Sequence, residues 1–251
     1  MLIVLNGAQK GGSTWLSMLT EVLVKPHKIP LKYQQAGFRS SAIDLDKLDL
    51  FLRKVDFRRA NFYCKQHWYD RPNIKALAAR PDTRFANIIR DIRDVLVSRY
   101  HHDLRLGNVP PGTSFTDFYF LLGHERMDHY ARYQYYWHRD MDEPAAEPLL
   151  LSFEGLKSNF ESEVRRFGRF LDLEDDEIDV QAAHERTNIR DKIKPGSHFR
   201  KGEVGDWVNH MTPEVSEAFR RQLDEIGYGE FLQQLSRRGI VIPQDLITGD
   251  W

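Results

Sequence analysis

The stretch Gly7-Ala-Gln-Lys10-Gly11-Gly12-Ser13-Thr14-Trp15 sets glycines, a cation and two hydroxyls directly after an apolar run. Glycines let backbone N–H groups turn toward one point, and a following helix adds its own unpaired N–H groups. Such a turn can cradle a phosphate. Against the triphosphate-loop pattern of glycine, four residues, glycine, lysine and serine or threonine, Gly7, Gly12 and Thr14 fit. Ser13 stands where the lysine should be, and Lys10 lies inside the loop instead. A kinase or ATPase without that lysine would handle β- and γ-phosphates poorly, so the loop points to a different phosphate-bearing donor. Alone, the same residues also describe a strand-to-helix turn with no ligand.

Two further constellations carry positive charge. Arg90 ends the apolar run Arg84-Phe-Ala-Asn-Ile-Ile89, and Ser98 lies in the segment after it. The carboxyl end of a strand is where open α/β sheets bind ligands, and an arginine–hydroxyl pair can clamp a phosphate; an Arg90–Asp91 ion pair is the structural alternative. Phe199-Arg200-Lys201-Gly202-Glu203-Val-Gly205-Asp206-Trp207 places adjacent cations beside glycines, either closing over a phosphate or forming a solvated basic turn.

The elements that must position these residues follow from pattern. Leu2 to Leu5 is a continuous apolar run, which predicts a buried strand. Apolar residues at 15, 16, 18, 19, 22 and 23 predict a helix from Ser13, closed by Lys25-Pro26. Further strands are expected at 61–65, 84–89 and 148–153, and helices at 46–55, 94–104, 114–121, 125–140 and 159–170. Thr212-Pro213-Glu214 is a helix start, with threonine as cap and proline at the first position. Residues 27–45 have no period and read as a long surface segment, and 188–206 as a loop or lid. The order strand, glycine-rich turn, helix predicts an α/β, three-layer, P-loop-type fold with a central, mainly parallel sheet flanked by helices. Neither repeat nor linker divides 1–251, so a single domain is expected, whole or cut from a longer chain.

Together the three constellations resemble the sulfotransferases that use 3′-phosphoadenosine 5′-phosphosulfate (PAPS). That family's Lys-x-Gly-[Thr/Ser]-Thr-Trp-like loop is matched by Lys10, Gly11, Gly12, Ser13, Thr14 and Trp15. Its strand-end arginine with a serine eight residues on is matched by Arg90 and Ser98, and its Arg-Lys-Gly-x-x-Gly-Asp-Trp segment by Arg200, Lys201, Gly202 and the residues through Trp207. The resemblance implies that the loop holds the 5′-phosphosulfate, that Arg90, Ser98, Arg200, Lys201 and Gly202 hold the 3′-phosphate, and that Trp15 stacks on adenine. It also directs attention to Lys65-Gln66-His67, similar to the Lys-Thr-His of many cytosolic members. Residues 65 and 67 share one face of a strand, and histidine suits a general base. His67, Lys10 and Lys65 are thus the expected catalytic residues, with no metal required.

Some motifs depart from the family. Phe153-Glu-Gly-Leu156 replaces Tyr-Glu-Asp-Leu, removing a phenol, and Thr187-Asn-Ile189 stands for the adenine-holding Thr-Ser-Phe, which makes Thr187 a donor-binding candidate. Some carbohydrate members use a glutamate base instead of histidine. The alternatives are a P-loop kinase or phosphotransferase, with Asp91 and Asp94 as its nearest metal-binding carboxylates, and a catalytically silent nucleotide-binding module.

Composition narrows the rest. The 251 residues hold 36 Lys plus Arg against 37 Asp plus Glu, a net charge of −1, which disfavours nucleic acid or anionic membrane as the main partner. Hydrophobic residues at 41% allow a sizeable core, and one cysteine, Cys64, cannot form an internal disulfide. With no apolar run near the length of a membrane span and no signal-peptide pattern, a cytoplasmic location is expected. His124-Glu-Arg-Met-Asp-His129 spaces its histidines wrongly for a zinc helix, and Tyr130, Tyr133, Tyr136 and Trp137 form a helical stripe of the kind that builds cores. The acceptor, a small molecule or carbohydrate, is expected to be set by segments 27–45, 67–72, 101–115 and 188–200; His101 and His102 fall within them. Neither its identity nor the oligomeric state follows from these patterns.

Overall fold

The computed structural model of the chain describes residues 1–35, 42–67, 71–140, 148–188, 190–193 and 200–251. The opening apolar run forms β1 (Leu2–Gly7), buried along its whole length, as a strand covered on both faces must be. The chain continues through α1 (Ser13–Leu23), β2 (His27–Lys28), α2 (Leu48–Lys54), β3 (Phe62–Gln66), α3 (Arg71–Ala78), β4 (Thr83–Ile89) and α4 (Ile92–Leu106). Next come α5 (Phe115–Phe118), α6 (His124–Asp140), β5 (Leu149–Ser152), α7 (Phe153–Ser158), α8 (Phe160–Phe170) and α9 (Val180–Thr187). Then follow α10 (Pro213–Ile226), α11 (Tyr228–Arg237) and α12 (Gln244–Thr248).

The strands pair in the order β2-β3-β1-β4-β5, each pair parallel. Ile3, Leu5, Tyr63, Ala86 and Ile88 face one core, shared with Leu16 and Leu19 of α1 and Phe167 of α8. Leu2, Val4, Cys64 and Phe85 face the other, shared with Val95, Met127, Trp137 and Phe231. This is the expected three-layer α/β fold. In register, Leu5 lies opposite Lys65 and Asn6 opposite both Gln66 and Asn87. Strand alternation therefore puts Lys65, His67 and Arg90 on the α1 face, at the carboxyl edge of three adjacent strands.

Several expectations are corrected. Residues 27–45 are not all surface: β2 pairs with β3 through His27 and Lys28, and Ile29, Tyr33 and Ile43 are buried. An isolated apolar residue every few positions carries no period, so sequence pattern misses such anchors. Expected helix 114–121 is instead the short α5 followed by a π-helical turn at Tyr119–Gly123 that leads into α6. Helices α3, α7, α9, α11 and α12 were not anticipated. Helix α9 starts where Asp179 accepts from the Ala182 N–H.

The aromatic stripe of α6 is core as read, with Tyr130, Tyr133 and Trp137 buried, although Tyr136 is half-buried. Cys64 is packed, and burial pushes its thiol up to about 12. No helix is long and apolar enough to cross a membrane among the described residues. Among them, no group of histidine, cysteine or carboxylate side chains is placed to hold a metal.

Gly7 ends β1 where space is the constraint: a Cβ there would lie 2.8 Å from the Ile88 carbonyl oxygen and 2.9 Å from its Cγ2. The Gly7→Ala variant must push β1 from β4 at the site. It is expected to lose about 1–3 kcal/mol of stability, read as a lower urea midpoint at unchanged slope.

Candidate functional site

The loop between β1 and α1 folds as a tight turn in which the Gly11 N–H donates to the Ala8 carbonyl at 2.9 Å. Lys10 adopts φ 70° and Gly12 φ 110°. Left-handed residues at alternate positions turn successive N–H groups inward, and a lysine in that conformation is strained by about 1–3 kcal/mol. Helix α1 begins at Ser13 with no side-chain cap and no acidic residue in its first turn. Its N-terminal dipole is thus unopposed by any local carboxylate. Ser13 is buried, while Thr14 on the same turn accepts a hydrogen bond from Lys65 Nζ at 2.7 Å.

Lys65 comes from β3 and Lys10 from the loop, and both lysines are pushed down to about 8. Burial is the cause for Lys65; for Lys10 burial comes first, followed by Arg105, Arg90, Arg99 and Lys65. Gln66 points to the opposite face and is wholly buried, so the Lys-Gln-His run works as alternation requires. His67 lies level with Gly7, and its Nδ1 is 2.8 Å from the Gly7 carbonyl oxygen. A carbonyl only accepts, so Nδ1 carries the proton and Nε2 keeps its lone pair. Burial and then Lys65 lower the imidazole to about 4, against the Gly7 hydrogen bond. His67 is therefore neutral at physiological pH, with the Nε2 lone pair free of a proton and Lys65 nearby.

Arg90 extends from the end of β4. Its guanidinium stacks 4.3 Å from the Phe153 ring centre, Nη2 donates to the Glu203 carbonyl at 2.7 Å, and Asp94 lies 3.7 Å away. Ser98 is half-buried one turn beyond Asp94 on the same row of α4. Asp94 accepts from the N–H groups of Gly205 at 2.8 Å and Trp207 at 3.1 Å, which ties the 200–207 segment to α4. Within that segment Arg200 and Lys201 both pair with Asp206, at 2.6 and 2.7 Å. Burial opposes ionisation of Asp206, but Lys201, Arg200 and Asn209 outweigh it and hold the carboxyl far below its usual range. Gly202, at φ 65°, makes the turn that brings both cations to one carboxylate.

The structure thus brings residues 10–15, Lys65 and His67 together at the loop, with Arg200, Lys201 and Gly202 beyond Arg90, which links the two groups: its Nη1 donates to the Lys10 carbonyl at 3.4 Å and its Nη2 to that of Glu203. Trp15 and Thr187, distant in sequence, are joined: the indole Nε1 donates to Thr187 Oγ1 at 3.0 Å. Phe160 lies nearly parallel to the indole at 6.1 Å. Ile189, 36–41, 68–70 and 194–199 lie outside the described residues, and with them much of the segments expected to face an acceptor.

Sequence reasoning missed several residues here. Phe153, read only as a missing phenol, is the platform under Arg90. Glu154 accepts from the Asp91 N–H at 3.0 Å and is buried; that burial, with Asp91, raises its carboxyl to about 7. Arg93, to which no motif assigns a role, is wholly buried. Asp91 and Asp94, the carboxylates considered for a metal, are committed elsewhere. Asp91 caps α4 and grips Arg93, and Asp94 holds the 200–207 segment.

Comparison with known proteins bears on this arrangement. Sulfotransferase 6B1 of Danio rerio is 29% identical over 150 positions, which are 55% of this chain and 49% of that protein. Sulfotransferase 1B1 of Mus musculus is 27% identical across 86% of this chain and 79% of that protein. The crystal structure of mouse sulfotransferase SULT7A1 complexed with PAP shares the fold, with a TM-score of 0.65 at 19% identity over 89% of this chain and 83% of that one. The family model of the sulfotransferase domain matches residues 2–235, from β1 through the loop, both strand ends and the Arg200 segment into α11. On that match the chain belongs to the sulfotransferase family.

Proposed function

We propose that the protein transfers a sulfuryl group from PAPS to a hydroxyl, phenol or amine of a small-molecule or carbohydrate acceptor, with His67 as general base. The observation that carries this reading is the pair of half-buried lysines, both depressed by lost hydration, at the uncapped start of α1. Such an arrangement is unfavourable by itself and is relieved by an anion. The fit extends to the nucleotide's other end, where Arg90 stands beside Asp94, one helical turn before Ser98, and Arg200 and Lys201 share Asp206. The mouse relative of known structure was crystallised with PAP, the product such a donor leaves.

In this reading Lys10 and the N–H groups of residues 12–14 hold the 5′ end, and Trp15 offers a face to adenine. Thr187 is wholly buried and acts on the donor through Trp15, whose indole it orients. The bound donor supplies the sulfuryl group and a phosphate leaving group. His67 Nε2 takes the acceptor's proton as attack proceeds in line. Lys65, fixed by Thr14, and Lys10 offset charge developing on the leaving phosphate and the sulfuryl oxygens. Anion binding beside Lys65 also lifts the His67 pKa toward neutrality, where a general base works best. A kinase reading fares worse, because Asp91 and Asp94 are occupied by Arg93 and by the 200–207 backbone. A silent module would have no use for a held imidazole beside Lys65 or for a strained Lys10 in the loop.

Isothermal titration tests the donor assignment: PAP should bind without magnesium and more tightly than ADP or ATP, and a preference for ATP with magnesium would overturn it. Proton linkage adds a sign. Lysines depressed to about 8 in the free protein regain protons when an anion arrives. PAP binding at pH 8 should therefore take up roughly one proton, read by titrating in buffers of different ionisation enthalpy, and affinity should fall as pH rises above 8. The His67→Ala variant should bind PAP normally yet lose about 10²–10⁴ in turnover; undiminished turnover would remove His67 from the mechanism. Lys10→Gly should relieve the left-handed strain and one buried charge, gaining about 1 kcal/mol of stability while losing activity, as thermal melts and assays on the same preparation would read.

A further inference from the structure

Residues beyond 235 lie outside the family match, yet Trp251 touches Trp207 of the segment that carries Arg200 and Lys201, and Asp245 reaches it through Arg93. Wholly buried Arg93, in the first turn of α4, donates to Asp91 through Nη2 at 2.7 Å and to Asp245 of α12 through Nη1 at 2.8 Å and Nη2 at 3.2 Å. Between these carboxylates the guanidinium is fixed in plane and position. It lies 3.9 Å from the ring centre of Trp207 and 4.9 Å from that of Trp251. The two indoles meet edge to face at 5.8 Å. Trp251 is itself held by Phe219 at 5.7 Å and by Arg220, whose Nη2 donates to its backbone oxygen at 2.7 Å.

Trp207 is the neighbour of Asp206, the carboxylate that collects both Arg200 and Lys201. Its backbone N–H is pinned by Asp94 and its ring by Arg93 and Trp251. Shifting the ring moves Asp206, and with it both cations. The same strap reaches Arg90 through the Glu203 carbonyl.

We propose that Asp245 and Trp251 are positioning residues for recognition of the donor's 3′-phosphate. They act through Arg93 and Trp207 on Asp206, Arg200 and Lys201, and touch no part of the donor. The inference rests on the donor assignment above and adds to it a C-terminal brace. Both residues sit toward the surface: the Asp245 side chain is 37% exposed and Trp251 is half-buried. Altering them therefore removes the brace without opening the core.

The test compares PAP with adenosine 5′-phosphate, which lacks only the 3′-phosphate, by titration into the full chain and into Trp251→Ala, Trp251→Phe and Asp245→Asn. Adenosine 5′-phosphate should bind all four within about twofold. PAP should weaken about tenfold for Trp251→Ala and about fivefold for Asp245→Asn, with most affinity kept by Trp251→Phe. Loss of stability alone would weaken both ligands together, so a preference for PAP that is unchanged in the variants overturns the inference, whatever happens to the separate affinities. Should Trp251→Ala fail to fold, the isosteric Asp245→Asn reads the same ratio. An unaltered protein that binds both ligands equally would instead overturn the donor assignment, and this inference with it.

Discussion

Lost hydration of clustered cations is the constraint around which the site is arranged. Lys10 and Lys65 approach one point from a loop and a strand, beside a helix start that is itself electropositive. Burial removes the water that would otherwise screen them. Nothing local offsets the dipole of α1, since no cap and no acid stands in its first turn. The free protein tolerates this because two extensive apolar cores clamp β1, β3 and β4 from both faces. The stability that the site lacks is supplied by the sheet beneath it, a common division between scaffold and function.

The two ends of the sheet edge solve the same electrostatic problem differently. At the loop end the lysines hold their protons more weakly than usual, with pKa values pushed down to about 8. At the other end carboxylates stand in for the anion: Asp94 faces Arg90, and Asp206 draws in Arg200 and Lys201. This second end is therefore already formed in the free protein, and in the proposed function a phosphate would exchange for Asp206 as a partner of the cations. Preorganisation of that kind lowers the ordering cost of binding. It also makes recognition depend on whatever fixes Asp206, which leads through Trp207 to Arg93 and to the far end of the chain.

Much of the fold was legible because its signals are local. A continuous apolar run, a glycine-rich turn and a helical period identify β1, the loop and α1 without any knowledge of neighbours. The strand ends at Lys65 and Arg90 follow from the same rules. Elements with weak local signals were missed. Strand β2 is two residues long and gains its place from pairing with β3, and Ile29, Tyr33 and Ile43 are buried by contacts that no periodicity announces. The π-helical turn between α5 and α6 is likewise invisible, because residue pattern does not distinguish it from a continuing helix.

The sequence by itself determined which residues could do chemistry, their order along the chain and the family they resemble, since motif spacing reflects backbone geometry within a few residues. Only the tertiary structure decided what state those residues are in. The tautomer of His67 depends on the Gly7 carbonyl from a neighbouring strand, and the depressed lysines depend on burial. The cation-π platform of Phe153, the exchange of charges at Asp206 and the brace of Trp251 on Arg93 join residues far apart along the chain. Burial, dielectric and hydrogen-bond partnership are properties of the packed neighbourhood, and no stretch of sequence carries its neighbourhood with it.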